Sequence, residues 1–315
     1  MSFTAEVKEE LSRVEPVCSH CISATLAALI RIEGTLLLSG MGRYRLEIAT
    51  DTPVVARFVI KALHDIFGLK TDLTMRRSVL HKTPNWLIEV QNQKGLNTAL
   101  RILGVLDKEG HLERGISKDL VKKRCCSAAY LRGVFLGSGF IANPKGDFHF
   151  EITVETQTMA NDIIELMSAS GISAKITERR NSYTIYLKSG SAISSFLALV
   201  GAHQCALKME NERVLKSVRN DVNRRVNAEI ANQAKTAQAS IEQIQTIRHV
   251  LEHHDIKTLP KALQDYIRLR VSYPDASLKE LGEMANPPLS KSAIYHRVRR
   301  LEQMEKDLSY PKSAK

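Results

Sequence analysis

The side chains best suited to bind a polyanion lie near the carboxyl end of the 315-residue chain. The stretch 286–300 holds four basic residues and no acidic one. On a helical wheel, the apolar Ile294, Val298 and Leu301 share one face, and polar and basic side chains share the opposite face. Such side chains donate hydrogen bonds to phosphates and to base edges in the major groove. The pattern predicts a DNA-recognition helix, and the alternative is an ordinary amphipathic helix with a solvated charged face.

Cysteines form a second set of side chains that could bind a metal ion. The stretch Cys18-Ser19-His20-Cys21 lies just before one apolar helix, and Cys125 and Cys126 lie just before another, so that pseudo-symmetry could bring them together. Thiolates and imidazole are common zinc ligands. Because no second Cys-x2-Cys stands at the usual zinc spacing, we favour small apolar residues at helix starts and predict no metal or other cofactor. The odd total of five cysteines fits a reducing cytoplasm.

The composition indicates a polyanionic partner. A net charge of +11 and a pI of about 9.4 favour nucleic acid, and solubility alone is the alternative interpretation. Residues 1–15 alternate acids and bases without an apolar run, which argues against a secretory signal. No uncharged run reaches about 18 residues, which argues against a membrane span. We therefore expect a cytoplasmic, nucleoid-associated protein with no membrane partner.

Residues 1–202, which precede the basic region, contain an internal repeat. Residues 21–34, CISATLAALIRIEG, resemble residues 126–139, CSAAYLRGVFLGSG, at an offset of 105. Tyr44–Thr52 likewise resembles Phe148–Thr156, and later segments follow with small gaps. Each copy has the pattern of an apolar helix, two strands, a helix, two strands and a short helix. The sequence predicts an α+β domain built as αββαββα twice, with copies at about 20–110 and about 125–202.

This order of elements, with LAALIRIEG opening one copy and LRGVFLGSG the other, resembles the LAGLIDADG homing endonuclease fold. The resemblance implies two motif helices packed along a pseudo-two-fold axis, and strands that form a saddle on DNA. In that family the acid before each final glycine holds a divalent metal, and two-metal hydrolysis needs paired carboxylates. The equivalent residues here are Glu33 and Ser138, and a serine does not replace a carboxylate. We predict degenerate nuclease positions, no catalytic residues and no enzymatic activity, with a metal-dependent endonuclease as the alternative.

Seven further arginines are candidates for secondary nucleic-acid contacts. Four fall at equivalent strand ends of the two copies, where edge-strand solubility is the alternative. Three surround an apolar stripe in a helical pattern that has no glycine or proline over 203–259, where a solvated connecting helix is the alternative. The seven are Arg76, Arg77, Arg179 and Arg180 in the repeat, and Arg219, Arg224 and Arg225 in a helical linker predicted over 203–238.

Helices with capping signals follow in residues 239–315, which we predict to be an all-α domain. Two helices are expected over 241–251 and 260–271. Ser277–Glu280 is a capping box for a short third helix, and Ser290 can cap a fourth helix. A short capped helix, a turn and a helix with a basic front are typical of a helix-turn-helix. The residues that we expect to bind DNA are Ser277, Lys279, Ser290, Lys291, Ser292, Tyr295, His296, Arg297, Arg299 and Arg300.

A degenerate LAGLIDADG-like domain joined by a long helix to a helix-turn-helix resembles the WhiA family over nearly the whole chain. The stretches that carry the resemblance are SFTAEVKEEL (2–11), RVLKSVRNDVNRRVNAEIAN (213–232) and SLKELGEMANPPLSKSAIYHRVRRLE (277–302). Members of the family are DNA-binding regulators linked to cell division, chromosome segregation and, in sporulating relatives, sporulation. The resemblance implies a sequence-specific transcriptional regulator that binds double-stranded DNA at promoter regions.

The recognition loop departs from many relatives, which carry glycine near Ser290 and Ala293 and asparagine near Tyr295. The sequence therefore predicts a helix-turn-helix module but does not predict the DNA sequence that it binds. A scaffold that binds protein through the saddle is a further alternative to the regulator. A second regulator protein is left open as a partner, and the monomer is the favoured oligomeric state.

Overall fold

The computed structural model describes residues 2–38, 40, 43–77 and 84–309 and divides the chain into two compact units. The first unit is Met1–Lys216, which combines helices with two antiparallel sheets, and the second unit is Ser217–Lys315, which is helical. Each unit has a hydrophobic core of its own. A search of the described helices found none that is both long and apolar enough to cross a membrane.

The first copy of the repeat follows an amino-terminal helix, α1 (Phe3–Leu11). Its four strands form one sheet in the order β1-β2-β4-β3. Helix α3 begins at Pro53. Proline suits the first helical turn because an N–H at that position would have no intrahelical partner. The elements of this copy are α2 (Ser19–Glu33), β1 (Gly34–Leu38), β2 (Tyr44–Thr50), α3 (Pro53–Phe67), β3 (Asp72–Arg77), β4 (Pro84–Val90) and α4 (Leu96–Ile102).

The second copy repeats this order after a short helix, α5 (Lys118–Val121). Its sheet has the equivalent strand order, β5-β6-β8-β7. The predicted α+β duplication of αββαββα is therefore confirmed. The elements are α6 (Arg124–Ser138), β5 (Gly139–Ile141), β6 (Phe150–Val154), α7 (Gln157–Ala169), β7 (Lys175–Arg179), β8 (Ser182–Leu187) and α8 (Gly190–Val200).

Helices α2 and α6 pack against each other with their backbones in close approach. A Cβ atom at Gly133 would lie 2.4 Å from the Thr25 carbonyl oxygen and 2.7 Å from the Ala28 Cβ, so that only glycine permits this contact. The Thr25 Oγ1 donates to the Ala129 carbonyl oxygen of the other helix at 2.9 Å. The small residues of the two repeated motifs thus hold the two helices side by side.

The second unit contains the end of a long helix and three further helices. Helix α9 runs without a break over His203–His253, so the separate helix expected over 241–251 is wrong: it is the end of α9. No glycine or proline interrupts this stretch, and Ser240 is buried with its hydroxyl donating to the Pro274 carbonyl oxygen. A 3-10 turn (Ile256–Thr258) follows, and then α10 (Lys261–Ser272), α11 (Leu278–Met284) and α12 (Lys291–Ser309).

Candidate nucleic-acid interface

Helix α12 has a buried apolar back and an exposed basic front. Ile294, Val298 and Leu301 are at most 3% exposed and belong to the core of the second unit. Tyr295 is 47% exposed, and Arg297 is half-buried on the flank. The burial agrees with the two faces that the helical wheel predicts, whereas the DNA contacts themselves stay a prediction. The exposed residues of the front are Lys291, Ser292, His296, Arg299 and Arg300.

The turn before α12 closes tightly onto α11. A Cβ atom at Gly282 would lie 2.3 Å from the Leu289 carbonyl oxygen, so a larger residue would push the turn away. The Leu289 N–H donates to the Gly282 carbonyl oxygen at 2.9 Å. The Ser290 Oγ accepts from the Ala293 N–H at 3.2 Å, which caps α12 as predicted. This packing fixes the angle at which α12 leaves the turn.

The predicted capping box at the start of α11 is present. The Ser277 Oγ accepts from the Glu280 N–H at 3.3 Å, and a Glu280 carboxylate oxygen accepts from the Ser277 N–H at 2.7 Å. These hydrogen bonds to Ser277 lower the pKa of Glu280 below its usual value. Lys279 is exposed and lies 3.7 Å from Glu283, which is a weak surface pair. Ser277 and Lys279 therefore stand on the exposed first turn of the helix that precedes the recognition helix.

A buried arginine organises the loop between α10 and α11. Arg270 is 1% exposed. Its Nη1 lies 2.6 Å from the Ala276 carbonyl oxygen, 3.2 Å from that of Pro274 and 3.4 Å from that of Tyr273. The same nitrogen lies 3.4 Å from the Ser240 Oγ on α9. The guanidinium thus ties α9 and α10 to the segment that directly precedes the capping box.

Sequence reasoning missed Arg270. In a helical pattern an arginine is most often solvated, and its partners are chiefly backbone carbonyls, whose positions no side-chain pattern reveals. The one local signal is the helical spacing. Arg270 shares a helix face with Leu263, Tyr266 and Ile267, which are all buried.

Arg299 on the basic front of α12 makes two weak contacts within the helix. The Arg299 Nη1 lies 3.3 Å from a Glu302 carboxylate oxygen, and its guanidinium lies 5.8 Å from the centre of the Tyr295 ring. Exposed pairs of this kind contribute at most about 1 kcal/mol. Arg299 can therefore exchange Glu302 for a phosphate or a base edge at small cost.

The arginines predicted on the saddle lie at the ends of β3 and β7, and their nucleic-acid contacts stay a prediction. Arg76 pairs with Asn85 and Arg179 with Ser182, at equivalent edges of the two sheets. Arg180 lies in the turn beyond β7 with a φ of 49°, and the side chain of Arg77 lies outside the described part of the chain. On β2 and β4, Arg45 forms ion pairs with both Glu47 and Glu89, so acidic groups share this surface.

The arginines predicted on the linker lie on α9 and are exposed. Arg224 pairs with Asp221 one turn earlier, and Arg219 and Arg225 are solvated. The apolar stripe beside them is also exposed, with Val222 at 53% and Ile230 at 58%. These positions fit either solvated charges or phosphate contacts, and their role stays a prediction.

The two degenerate nuclease positions line one cleft in the first unit. Glu33 and Ser138 are the last residues of α2 and α6, and Arg31 lines the same cleft. A Glu33 carboxylate oxygen and the Ser138 hydroxyl are buried and have no hydrogen-bond partner among the described residues. The Arg31 guanidinium donates to the Glu113 carbonyl oxygen. The helices thus bring the equivalent positions together, as the resemblance implies, but with one carboxylate instead of two.

A lysine that sequence reasoning missed contacts Gly137, one of the residues that line this cleft. Lys8 of α1 is 8% exposed, and its ammonium donates to the Gly137 carbonyl oxygen at 3.4 Å. Burial raises the pKa of Glu33 to about 8, and the positive charge of Lys8 partly opposes this rise. A fixed cation therefore stands near the acid, where a catalytic site would need a divalent metal.

The buried acid predicts a pH dependence of stability. In the folded chain the pKa of Glu33 is about 8, whereas an exposed glutamate has a pKa near 4.5. The folded state therefore binds the extra proton between pH 4.5 and 8, so its stability is greatest below that window and falls as the pH rises through it. We expect Glu33→Gln to raise the free energy of unfolding by about 2–4 kcal/mol at pH 8 and by little at pH 5.

Urea unfolding of the full chain at the two pH values measures this effect. Glu109→Gln, at an exposed site in the same unit, is the matched control and should change neither value. An equal effect of Glu33→Gln at pH 5 and pH 8 would contradict the raised pKa.

Three family models match the chain in succession. The WhiA N-terminal LAGLIDADG-like domain matches residues 19–106, the WhiA LAGLIDADG-like domain matches 127–219, and the WhiA C-terminal HTH domain matches 222–305. Together the three matches account for most of the chain, including both repeats and the helix-turn-helix.

Curated relatives and solved structures extend the similarity to the full length. A probable cell division protein WhiA of Desulforamulus reducens is 41% identical over 310 residues, which are 98% of this chain and 96% of that protein. The namesake of Desulforudis audaxviator is 42% identical over 305 residues, 96% of each chain. The crystal structure of full-length DUF199/WhiA from Thermatoga maritima has the same fold, with a TM-score of 0.60 at 23% identity and coverage of 97% of this chain and 98% of that one.

Proposed function

This chain belongs to the WhiA family, and on that premise we propose that it is a sequence-specific DNA-binding transcriptional regulator. The observation that carries the proposal is α12, whose apolar back is buried while its basic front is exposed. A helix of this kind, preceded by a short helix and a tight turn, fits the major groove. The family match to an HTH domain over 222–305 supports the same assignment.

The geometry suggests a division of labour among the front residues. In a helix-turn-helix, the first turns of the recognition helix reach base edges, and the preceding helix crosses the backbone. Ser292, His296 and Arg299 are therefore proposed to read bases. The residues proposed to bind phosphates and set the register are Ser277, Lys279, Ser290, Lys291, Tyr295, Arg297 and Arg300.

We propose that the first unit does not cleave DNA. Two-metal hydrolysis needs carboxylates that gather the cations, and here Glu33 stands opposite Ser138. The ammonium of Lys8 adds a positive charge that opposes metal binding at the same cleft. These features favour a structural role for α2 and α6, with binding rather than bond breaking as the activity of the chain.

The biological process is proposed from the relatives. Those described above carry the name of a probable cell division protein. We propose that this chain acts in the same process, with promoters of cell-division and chromosome-segregation genes as its sites. A cytoplasmic, nucleoid-associated location follows from a DNA partner.

The carboxy-terminal region alone should bind DNA. A fragment of residues 203–315 retains all of α9 and the complete core of the second unit. We expect it to shift double-stranded DNA at low salt, because the predicted contacts all lie within it. Its affinity should fall about a hundredfold between 50 and 200 mM salt, as expected when about four phosphate contacts release counterions.

The control for this experiment is the full chain without residues 277–309, which lacks α11 and α12. This shortened chain should no longer shift double-stranded DNA, although its first unit should stay folded. The absence of a shift with the 203–315 fragment, or its persistence after the deletion, would contradict the assignment of the helix-turn-helix.

A further inference from the structure

Four cysteine side chains converge at the amino-terminal ends of α2 and α6. The Cys18 Sγ lies 3.5 Å from that of Cys21, 3.7 Å from that of Cys125 and 3.6 Å from that of Cys126. All four sulfur atoms lie within 4.8 Å of one another. The four thiols are not joined by disulfides. The sequence analysis favoured these cysteines as small apolar residues at helix starts. That interpretation does not explain why four sulfur atoms lie so close together.

The spacing of the sulfur atoms fits a single tetrahedral metal ion. Zinc binds thiolate sulfur at about 2.3 Å, and the edge of such a tetrahedron is therefore about 3.8 Å. The three distances from the Cys18 sulfur are close to this edge. Four thiolates in tetrahedral arrangement favour zinc among the divalent metals. We propose that Cys18, Cys21, Cys125 and Cys126 bind one Zn²⁺ ion.

The local charges suit the anionic complex that such binding forms. Four thiols lose their protons to solvent, so one Zn²⁺ with four thiolates carries a net charge of −2. The positive ends of two helix dipoles face the cluster, because Cys18 is the N-cap of α2 and Cys125 and Cys126 lie in the first turn of α6. Arg124 and Arg132 line the pocket that also contains Cys21 and Cys125.

The burial of the four residues is typical of a structural site. Cys21 and Cys126 are each 3% exposed, and Cys18 and Cys125 are half-buried at the rim. All four positions of the tetrahedron are supplied by protein, which leaves no open position for a substrate or a water. The site also lies at the opposite end of α2 and α6 from Glu33 and Ser138, so it is separate from the degenerate nuclease cleft.

The ion would join the two copies of the repeat. Cys18 and Cys21 lie at the start of the first copy, and Cys125 and Cys126 lie at the start of the second. Cys125 follows Cys18 by 107 residues, and Cys126 follows Cys21 by 105 residues. Cys21 and Cys126 are equivalent positions of the repeat, whereas Cys18 and Cys125 are not, so each copy adds one ligand of its own. Zinc would thus fasten the amino-terminal ends of the two helices that pack at Gly133.

Metal analysis of the untagged full chain, purified under reducing conditions, tests the proposal. We expect about one zinc per chain. Unfolding and refolding with Co²⁺ should give the intense visible bands of tetrahedral cobalt thiolate, and zinc should displace them. Cys18→Ser and Cys125→Ser should each lower the zinc content severalfold and lower the temperature at which the first unit unfolds.

Two matched variants separate this site from other sources of metal. Cys205→Ser removes the fifth cysteine, which is buried outside the cluster, and should leave the zinc content unchanged. His249→Ala with His253→Ala removes the histidines of the His249–Glu252–His253 group on α9, in which His249 is half-buried and the other two residues are exposed, and should also retain zinc.

Several results would overturn the assignment. One is protein without zinc whose refolded form shows no cobalt thiolate bands. Another is iron in place of zinc, and a third is zinc that is lost in the histidine variant but kept in Cys18→Ser and Cys125→Ser. Because the cobalt spectrum uses the unaltered sequence, the test stands even if a cysteine variant fails to fold.

Discussion

Replacement of Arg299 and Arg300 together by alanine should weaken binding of the chain to its DNA site by about thirtyfold or more. Both side chains are exposed on the front of α12, and an arginine that contacts a base or a phosphate contributes about 1–3 kcal/mol. The sum of two such losses corresponds to one to several factors of ten in affinity. Fluorescence anisotropy with a labelled duplex measures the change.

The matched control removes two positive charges from other helices of the same unit. Arg248→Ala with Lys261→Ala has the same effect on net charge, and both residues are exposed on α9 and at the start of α10. We expect a loss of affinity below about tenfold, due to the long-range field alone. Equal losses in the two double variants would mean that binding depends on charge without a recognition helix.

Replacement of Arg270 by methionine should destabilise the carboxy-terminal unit by about 1–3 kcal/mol. The substitution keeps a long unbranched side chain but removes the donor that the carbonyl oxygens of Tyr273, Pro274 and Ala276 share. The carbonyl oxygens of Pro274 and Tyr273 keep other donors, the Ser240 hydroxyl and the Ala276 N–H. The loss therefore falls on the Ala276 carbonyl oxygen and on the contact with Ser240, and an acceptor that loses its donor costs about 1–3 kcal/mol. Urea unfolding of the 203–315 fragment, followed by circular dichroism, measures the effect.

The neighbouring Arg268→Met is the matched control, because Arg268 lies on the same helix but is exposed. It should change the free energy of unfolding by less than about 0.5 kcal/mol. DNA affinity should fall in Arg270→Met as the loop before α11 loosens, although Arg270 is too buried to contact DNA. Similar stability of the two variants would contradict the organising role of Arg270.

Features that depend on short-range patterns were predictable from the sequence. The faces of α12 follow from a period of 3.6 residues, and the two caps depend on residues only three positions apart, Ser277 with Glu280 and Ser290 with Ala293. The duplicated fold was predictable because its two copies can be compared with each other. The same comparison placed Glu33 opposite Ser138.

Features that depend on long-range contacts were not predictable in this way. Lys8 lies in a segment of alternating charges that reads as solvated, and its burial depends on a carbonyl 129 residues away. Arg270 depends on Ser240, 30 residues earlier, and on loop carbonyls. The separate helix expected over 241–251 was wrong because no glycine or proline ends the preceding helix, which continues to His253.

Lys8 limits what a single substitution could do at the acid cleft. Because burial raises the pKa of Glu33 to about 8, the acid is mostly neutral at pH 7, and an incoming divalent metal would meet the ammonium of Lys8 without a carboxylate charge to offset it. Restoring a carboxylate at position 138 would create a site that still contains the ammonium and the Arg31 guanidinium. We therefore expect that a carboxylate at position 138 alone does not create divalent-metal binding, and that Lys8 and Arg31 would have to change as well.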